Sequence, residues 1–268
     1  MQEVLAYDFF RNALLVALLA AVSCGIIGTY IVSRRMVFIS GGITHASFGG
    51  IGIGYYFGFN PILGAAAFAV LSALGIEYSS RRTEVREDSA IAILWALGMA
   101  VGIIFVFMTP GYAPNLMSYL FGNILTVSTT DILMLSMLCI VILAFFILQF
   151  KHILYIAFDE EFARARRMPV GMIKYIMISL IALTIVFNIR VVGIILVISL
   201  LTIPQTIANM FVKRFFNIMV FSVVIALLGT VSGLILSYIF DIPSGAAIIF
   251  FLVILFFLAR ILKIILRS

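Results

Sequence analysis

Histidine occurs twice in 268 residues, and one of the two, His45, stands in the stretch ISGGITHASFGG at residues 39–50, among glycines, alanines and hydroxyls. A neutral imidazole is a common ligand of divalent transition metals, and the hydroxyls of Thr44 and Ser47 beside it suit a partly hydrated ion. On a helix, Gly42, Ala46, Gly50 and Gly54 recur every four residues, a small-residue row that lets another backbone approach closely. Gly41, His45 and Gly49 form the neighbouring row. His45 therefore projects beside a packed seam, either as a hydrogen-bonded packing residue or as a ligand facing a water-filled path. A second polar group, Ser199, Thr202 and Gln205, surrounds Pro204 in SLLTIPQTIANM. A proline there frees a backbone carbonyl, so these side chains line a path or accompany a structural kink.

Other chemistries are excluded by what is missing. There is no Gly-Lys pair, hence no G-x-x-x-x-G-K-[ST] phosphate loop. No H-E-x-x-H pair is present, and acids at membrane depth are too scarce for an embedded hydrolase or an ion-coupled relay. Cys24 and Cys139 lie in apolar runs without a ligand or disulfide spacing.

The elements that must position these groups are membrane helices. Hydrophobic residues make up 65% of the chain and charged ones 10%, and the mean hydropathy is +1.28, a balance that a water-facing surface does not tolerate. Apolar runs long enough for a roughly 30 Å hydrocarbon layer fall at 12–33, 37–58, 61–78, 89–108, 130–150, 173–189, 191–212, 217–239 and 244–264. The glycine-rich run 37–58 also suits a broken or re-entrant helix, which would leave eight crossings. The expectation is an all-α, polytopic transmembrane bundle of eight or nine spans, forming a single domain over residues 1–268. The first span, too long for a removable signal, is expected to be retained. The 25 phenylalanines and the 12 methionines are read as lipid-facing or packing groups.

Basic residues orient the bundle, because Lys- and Arg-rich loops stay in the cytoplasm. Arg34 and Arg35, Arg81, Arg82 and Arg86, the group Lys151, Arg164, Arg166, Arg167 and Lys174, then Lys213 and Arg214, and finally Arg260, Lys263 and Arg267 all fall on one side. Only Arg11 and Arg190 dissent. With an odd number of spans the N-terminus is outside and the C-terminus inside. The net charge of +6 is accounted for by orientation and by anionic lipid, so nucleic acid is not an expected partner. Asp131 and Asp241 sit at outer helix ends, His152 at the cytoplasmic boundary. The one long connection is FKHILYIAFDEEFARARRMPVG. Its acids Asp159, Glu160 and Glu161 precede Arg164, Arg166 and Arg167, the charge order of a short helix starting near Asp159, with Pro169 and Gly171 to stop it. Such a helix either lies on lipid headgroups or docks a partner.

The stretch GIIGTYIVSRRMVFISGGITHASFGGIGIGYYFG, residues 25–58, resembles the signature of the membrane subunits of ABC importers for zinc, manganese and iron. Five collinear blocks extend the likeness: EDSAIAILWALGMAVG, YLFGNILTVSTTDI, FDEEFARARRMPVG, VVGIILVISLLTIPQTIANM and DIPSGAAIIFFL. The resemblance implies a homodimeric permease of the type II importer kind in the bacterial cytoplasmic (inner) membrane, working by alternating access. ATP-hydrolysing subunits would sit below it and an extracytoplasmic metal-binding protein above. No cofactor is bound permanently, because the metal ion is cargo. It implies that His45 contacts the ion and that the segment 158–171 docks the ATPase through Asp159, Glu160, Glu161, Phe162, Ala163, Met168 and Gly171. Two positions depart from the family. Gly41 stands where many relatives have an aspartate one turn before the histidine, and Phe121-Gly122-Asn123 replaces Phe-Gly-Asp, which puts Asn123 on the expected path in place of an acid. An ATP-independent metal transporter or channel is the alternative function.

Overall fold

The computed structural model describes residues 7–82, 86–110, 122 and 124–266. The described residues form helices α1 (Asp8–Ser33), α2 (Val37–Phe57), α3 (Pro61–Arg82), α4 (Glu87–Met108), α5 (Thr129–Phe158), α6 (Glu160–Ala165), α7 (Val170–Val192), α8 (Ile194–Leu200), α9 (Ile203–Phe211), α10 (Phe215–Phe240) and α11 (Ser244–Ile265). Nine segments among them, with α8 and α9 counted together, are long and apolar enough to cross a membrane. The chain divides into two compact units. The first takes Met1–Arg34, Met117–Leu148 and Asn188–Ser268, and the second Arg35–Leu116 and Gln149–Phe187. Helices α5 and α7 each contribute to both.

The second unit is built on glycine. α2 packs along α3 and α4, and at the seams backbone meets backbone: a Cβ on Gly98 would lie 2.5 Å from the Ala46 Cα, and one on Gly54 would lie 2.6 Å from the Pro61 Cα. Gly50 opposes Gly64 and Gly52 opposes Gly102 in the same manner. Without a hydrophobic drive between helices in lipid, this close van der Waals approach is what holds them. The glycine-rich run that could have broken is thus one unbroken helix of 21 residues, since neighbouring helices fill the side that the glycines leave bare.

In the first unit α1 packs on α10, and α10 on α11 and α9. The membrane segment that does break is 194–211. α8 ends at Leu200, Thr202 leaves helical geometry (φ −127°, ψ −50°), and α9 restarts with Pro204 in its first turn. α8 starts from Gly193 at φ +83°, a backbone conformation that glycine alone adopts without strain. Gly122, at φ +62°, lies so close to Gly193 that a side chain there would overlap it.

Helix α5, with 30 residues, is about 45 Å long at 1.5 Å per residue and outruns the roughly 30 Å hydrocarbon layer. The expected span 130–150 is therefore extended by two turns, and the connection after it is shortened. α6 begins as expected: Asp159 is its N-cap, with Oδ1 accepting from the Phe162 N–H at 2.9 Å. Its end does not match the expectation. Arg167 adopts φ +56°, the Met168 N–H donates to the Ala163 carbonyl and the Arg167 N–H to that of Arg164. This is a Schellman closure made with arginine in place of the usual glycine. Pro169 stands just ahead of α7 and Gly171 lies inside its first turn, so neither residue stops α6.

Candidate functional site: the His45 face and the cytoplasmic helix

His45 is half-buried on α2, its imidazole stacked flat on the indole of Trp95 from α4, with centroids 4.2 Å apart and planes 4° from parallel. The seam described above sets this pairing. Ile91, Trp95, Gly98 and Gly102 share one stripe of α4, and Ile91 meets Gly42 while Gly98 meets Ala46, so Trp95 lies level with His45. The imidazole Nδ1 is buried and has no hydrogen-bond partner. One turn earlier Gly41 faces open space, with nothing within 4 Å of where a side chain would begin.

Thr44 and Ser47 are fully buried, and their hydroxyls donate to the carbonyls of Ser40 and Thr44, both at 2.6 Å. Their hydrogens are spent on their own helix, and only oxygen lone pairs remain to offer. Among the described residues no three His, Cys, Asp or Glu side chains come together to hold a metal ion.

The second polar group has a structural task. Pro204 has no N–H to give the Leu200 carbonyl one turn back, and the buried Gln205 amide supplies the missing donor at 2.9 Å. The same amide also donates to the Cys24 carbonyl of α1 at 2.9 Å. Gly28 makes room for it: a Cβ there would overlap the Gln205 side chain. Ser199 and Thr202 are half-buried, their hydroxyls bonded to the carbonyls of Ile195 and Ile198 one turn back. Asn123 lies outside the described residues.

The cytoplasmic helix is tied to its own unit. Glu160 accepts from Arg164 at 2.8 Å and from Lys174 at 3.1 Å, and Lys174 reaches Glu77 of α3 at 3.0 Å. Lys174 and Glu77 are nearly buried, with side chains 12% and 9% exposed. A cation between two acids at that burial fixes α3, α6 and α7 together, because removing it would leave carboxylates desolvated and unpaired. Ala163 is wholly buried, which corrects its assignment as a docking contact: it props α6 on its own chain. Glu161 and Phe162 face out, Phe162 flanked by Tyr155 at 5.5 Å and Arg166 at 5.3 Å. Met168 and Gly171 are half-buried, and a Cβ at Gly171 would meet nothing.

Both dissenting cations are neutralised: Arg11 pairs with Asp8, and Arg190 with Asp131. Asp131 is itself buried and closes a capping box with Ser128, accepting from its N–H at 3.1 Å and its hydroxyl at 2.6 Å. It is thus committed inside the chain and not held out toward a partner. Asp241 stays exposed, on the rim of a cavity of about 650 Å3 that Phe10, Ser237 and Ser244 also line. His152 is half-buried in α5.

Sequence reasoning passed over Trp95, Glu77 and the Arg190–Asp131 pair. Trp95 is the single tryptophan of the chain, and its place on the Ile91–Gly98–Gly102 stripe was the available signal. Glu77 was visible as a lone acid at the end of an apolar run.

Nine apolar helical segments among the described residues, one broken ahead of a proline, define an all-helical, multi-pass membrane protein. A family model described as the ABC 3 transport family matches residues 6–263. The chain belongs to the ABC 3 transport family: it is a permease of the bacterial cytoplasmic membrane. It is 42% identical to an uncharacterised membrane protein of Synechocystis, over 93% of this chain and 89% of that one. It is 34% identical to the manganese transport system membrane protein MntC of Halalkalibacterium halodurans, over 96% and 88%. Among solved structures it is similar to PsaBC from Streptococcus pneumoniae in complex with Fab, with TM-score 0.86 and 28% identity over 96% of this chain and 93% of that one.

Proposed function

We propose that this chain is the membrane-spanning subunit of an ATP-driven importer for a divalent transition metal, with manganese as the favoured cargo and zinc or iron as competitors. The observation that carries the reading is the near end-to-end likeness to a manganese transport system membrane protein. Two copies of the chain form the path, separate ATPase subunits supply the energy, and an extracytoplasmic protein delivers the ion. The absence of a Gly-Lys pair supports a separate motor.

In this reading the ATPase grips α6 through Glu161 and Phe162, with Asp159 capping the helix, Met168 closing it and Gly171 following in the first turn of α7. Glu160 passes the pull through Lys174 to Glu77 of α3, and α3 packs on α2, which carries His45. Rocking of the two copies then opens the path to one side and the other. His45 offers a ring nitrogen to the ion, and the oxygens of Thr44 and Ser47 assist. A lone imidazole with open space at Gly41 suits a mostly hydrated ion in transit rather than a tight cage. Asn123, Ser199, Thr202 and Gln205 are the further candidates along the path.

Reconstitution with the cognate ATPase and binding protein, followed by uptake of manganese, zinc and iron in competition, tests this. The expected result is nucleotide-dependent uptake with manganese preferred. Double substitution of Glu161→Arg and Phe162→Ala is expected to lower ATPase co-purification and uptake together. Equal uptake by the chain alone, without nucleotide, would overturn the reading in favour of an ATP-independent transporter or channel.

A further inference from the structure

We propose that Trp95 is a positioning residue for the transported ion: its indole holds the His45 imidazole in the orientation in which a ring nitrogen meets the metal. This rests on the reading of His45 as a metal contact. Metal-ligating histidines are ordinarily aimed by a hydrogen bond from the other ring nitrogen to a carboxylate, a carbonyl or water, and such partners govern metal affinity. His45 lacks that device, since its Nδ1 is buried without a partner, and the nearest place for a carboxylate on the same face is Gly41. What the imidazole has instead is a flat stack on Trp95 at 4.2 Å and 4°.

The stack is well suited to the task. A metal binds imidazole along a nitrogen lone pair, in the plane of the ring, whereas stacking occupies only a face. Trp95 therefore restrains the ring without blocking the atoms that ligate. The indole face is also the best aromatic surface for positive charge. An imidazole drained of electron density by a bound cation gains more from that surface than a free one, so the stack favours the loaded state over the empty state. The register that brings the rings together is built into the backbone, through Gly42 against Ile91 and Gly98 against Ala46. That register keeps the Trp95 side chain within reach of His45.

The test compares Trp95→Phe, which keeps an aromatic face, with Trp95→Leu, which does not, in the complete transporter beside His45→Ala. Trp95→Leu is expected to raise the manganese concentration for half-maximal uptake about 10-fold while the maximal rate and subunit co-purification hold. Trp95→Phe should shift it by less than about 3-fold. Equal loss in both variants means that bulk matters and not the aromatic face, and overturns the proposal. Wild-type behaviour of Trp95→Leu beside a defective His45→Ala overturns the proposal and leaves the reading of His45 standing. Normal uptake by His45→Ala overturns both. A second measurement does not depend on transport. Trp95 is the sole tryptophan, so the indole emission of the full chain in liposomes reports this one site. Manganese is expected to change that emission saturably, and His45→Ala to abolish the change. A change that persists without the imidazole, or no saturable change in the wild type, overturns the proposal.

Discussion

The two units of this chain solve the same problem, holding helices together in lipid, with different proportions of the same means. In the unit of α2, α3 and α4 the helices meet through glycine, backbone on backbone, and the buried hydroxyls of Thr44 and Ser47 turn back on their own helix. In the unit of α1 and α8–α11 glycines also admit close backbone contact, Gly25 against Val223 and Gly233 against Ile248, and a polar fastening crosses between helices besides. Gln205 binds carbonyls of α1 and α8, the Asn188 amide donates to the Ser23 hydroxyl at 3.2 Å, and Cys139 donates to the Leu19 carbonyl at 3.3 Å. The difference teaches where to look for function. Where polar groups serve as fasteners their donors are taken up by the fold. Along the glycine seam of α2, α3 and α4 the helices need no such cross-link, and the His45 imidazole is left to its stack on Trp95.

The comparison can be broken most severely at Gly50. A side chain there would run into the Gly64 carbonyl of α3, and no rotamer moves a backbone atom aside. Gly50→Val is expected to cost about 3 kcal/mol, read as a lowered midpoint of SDS-induced unfolding in mixed micelles. A neutral Gly50→Val would show that the glycine seam is not what binds this unit. Gln205→Leu, of similar volume, tests the polar unit. It strips the donor from the Leu200 carbonyl at the proline break and is expected to cost about 2 kcal/mol in the same assay. Indifference there would reduce Gln205 from fastener to bystander. Thr44→Val should do least, changing stability by less than about 0.5 kcal/mol, because the lost bond runs to its own helix and the carbonyl keeps its helical donor. If Thr44 lends an oxygen to the passing ion, uptake at limiting manganese falls all the same. That separation of stability from transport would sharpen the contrast between fasteners and path residues.

Several corrections have the same origin. The run 37–58 and the run 191–212 each carried a reason to break, glycines in one and Pro204 in the other. Only the second broke, because a proline removes a donor whatever surrounds it, whereas glycines weaken a helix only where no neighbour packs on them. Ala163 read as an anchor since it lies in the docking segment, but which face of α6 turns inward depends on what α6 rests upon. The stop expected at Pro169 and Gly171 falls instead at Arg167, which takes the left-handed conformation where closure of the helix called for it.

What the sequence alone determined was local: the nine apolar lengths, the start of α6 at Asp159, the charge asymmetry of the loops, the family blocks and the lone imidazole in its row of small residues. These depend on runs, spacings and caps within one helix, and a chain carries them wherever it folds. The tertiary structure alone decided which distant groups meet: Trp95 with His45, Gln205 with the Cys24 carbonyl, Lys174 with Glu77, Asp131 with Arg190. Such meetings depend on the register between helices, and a shift of one residue turns a side chain about 100° around its axis. Close packing of the helices sets that register, and no stretch of sequence contains it.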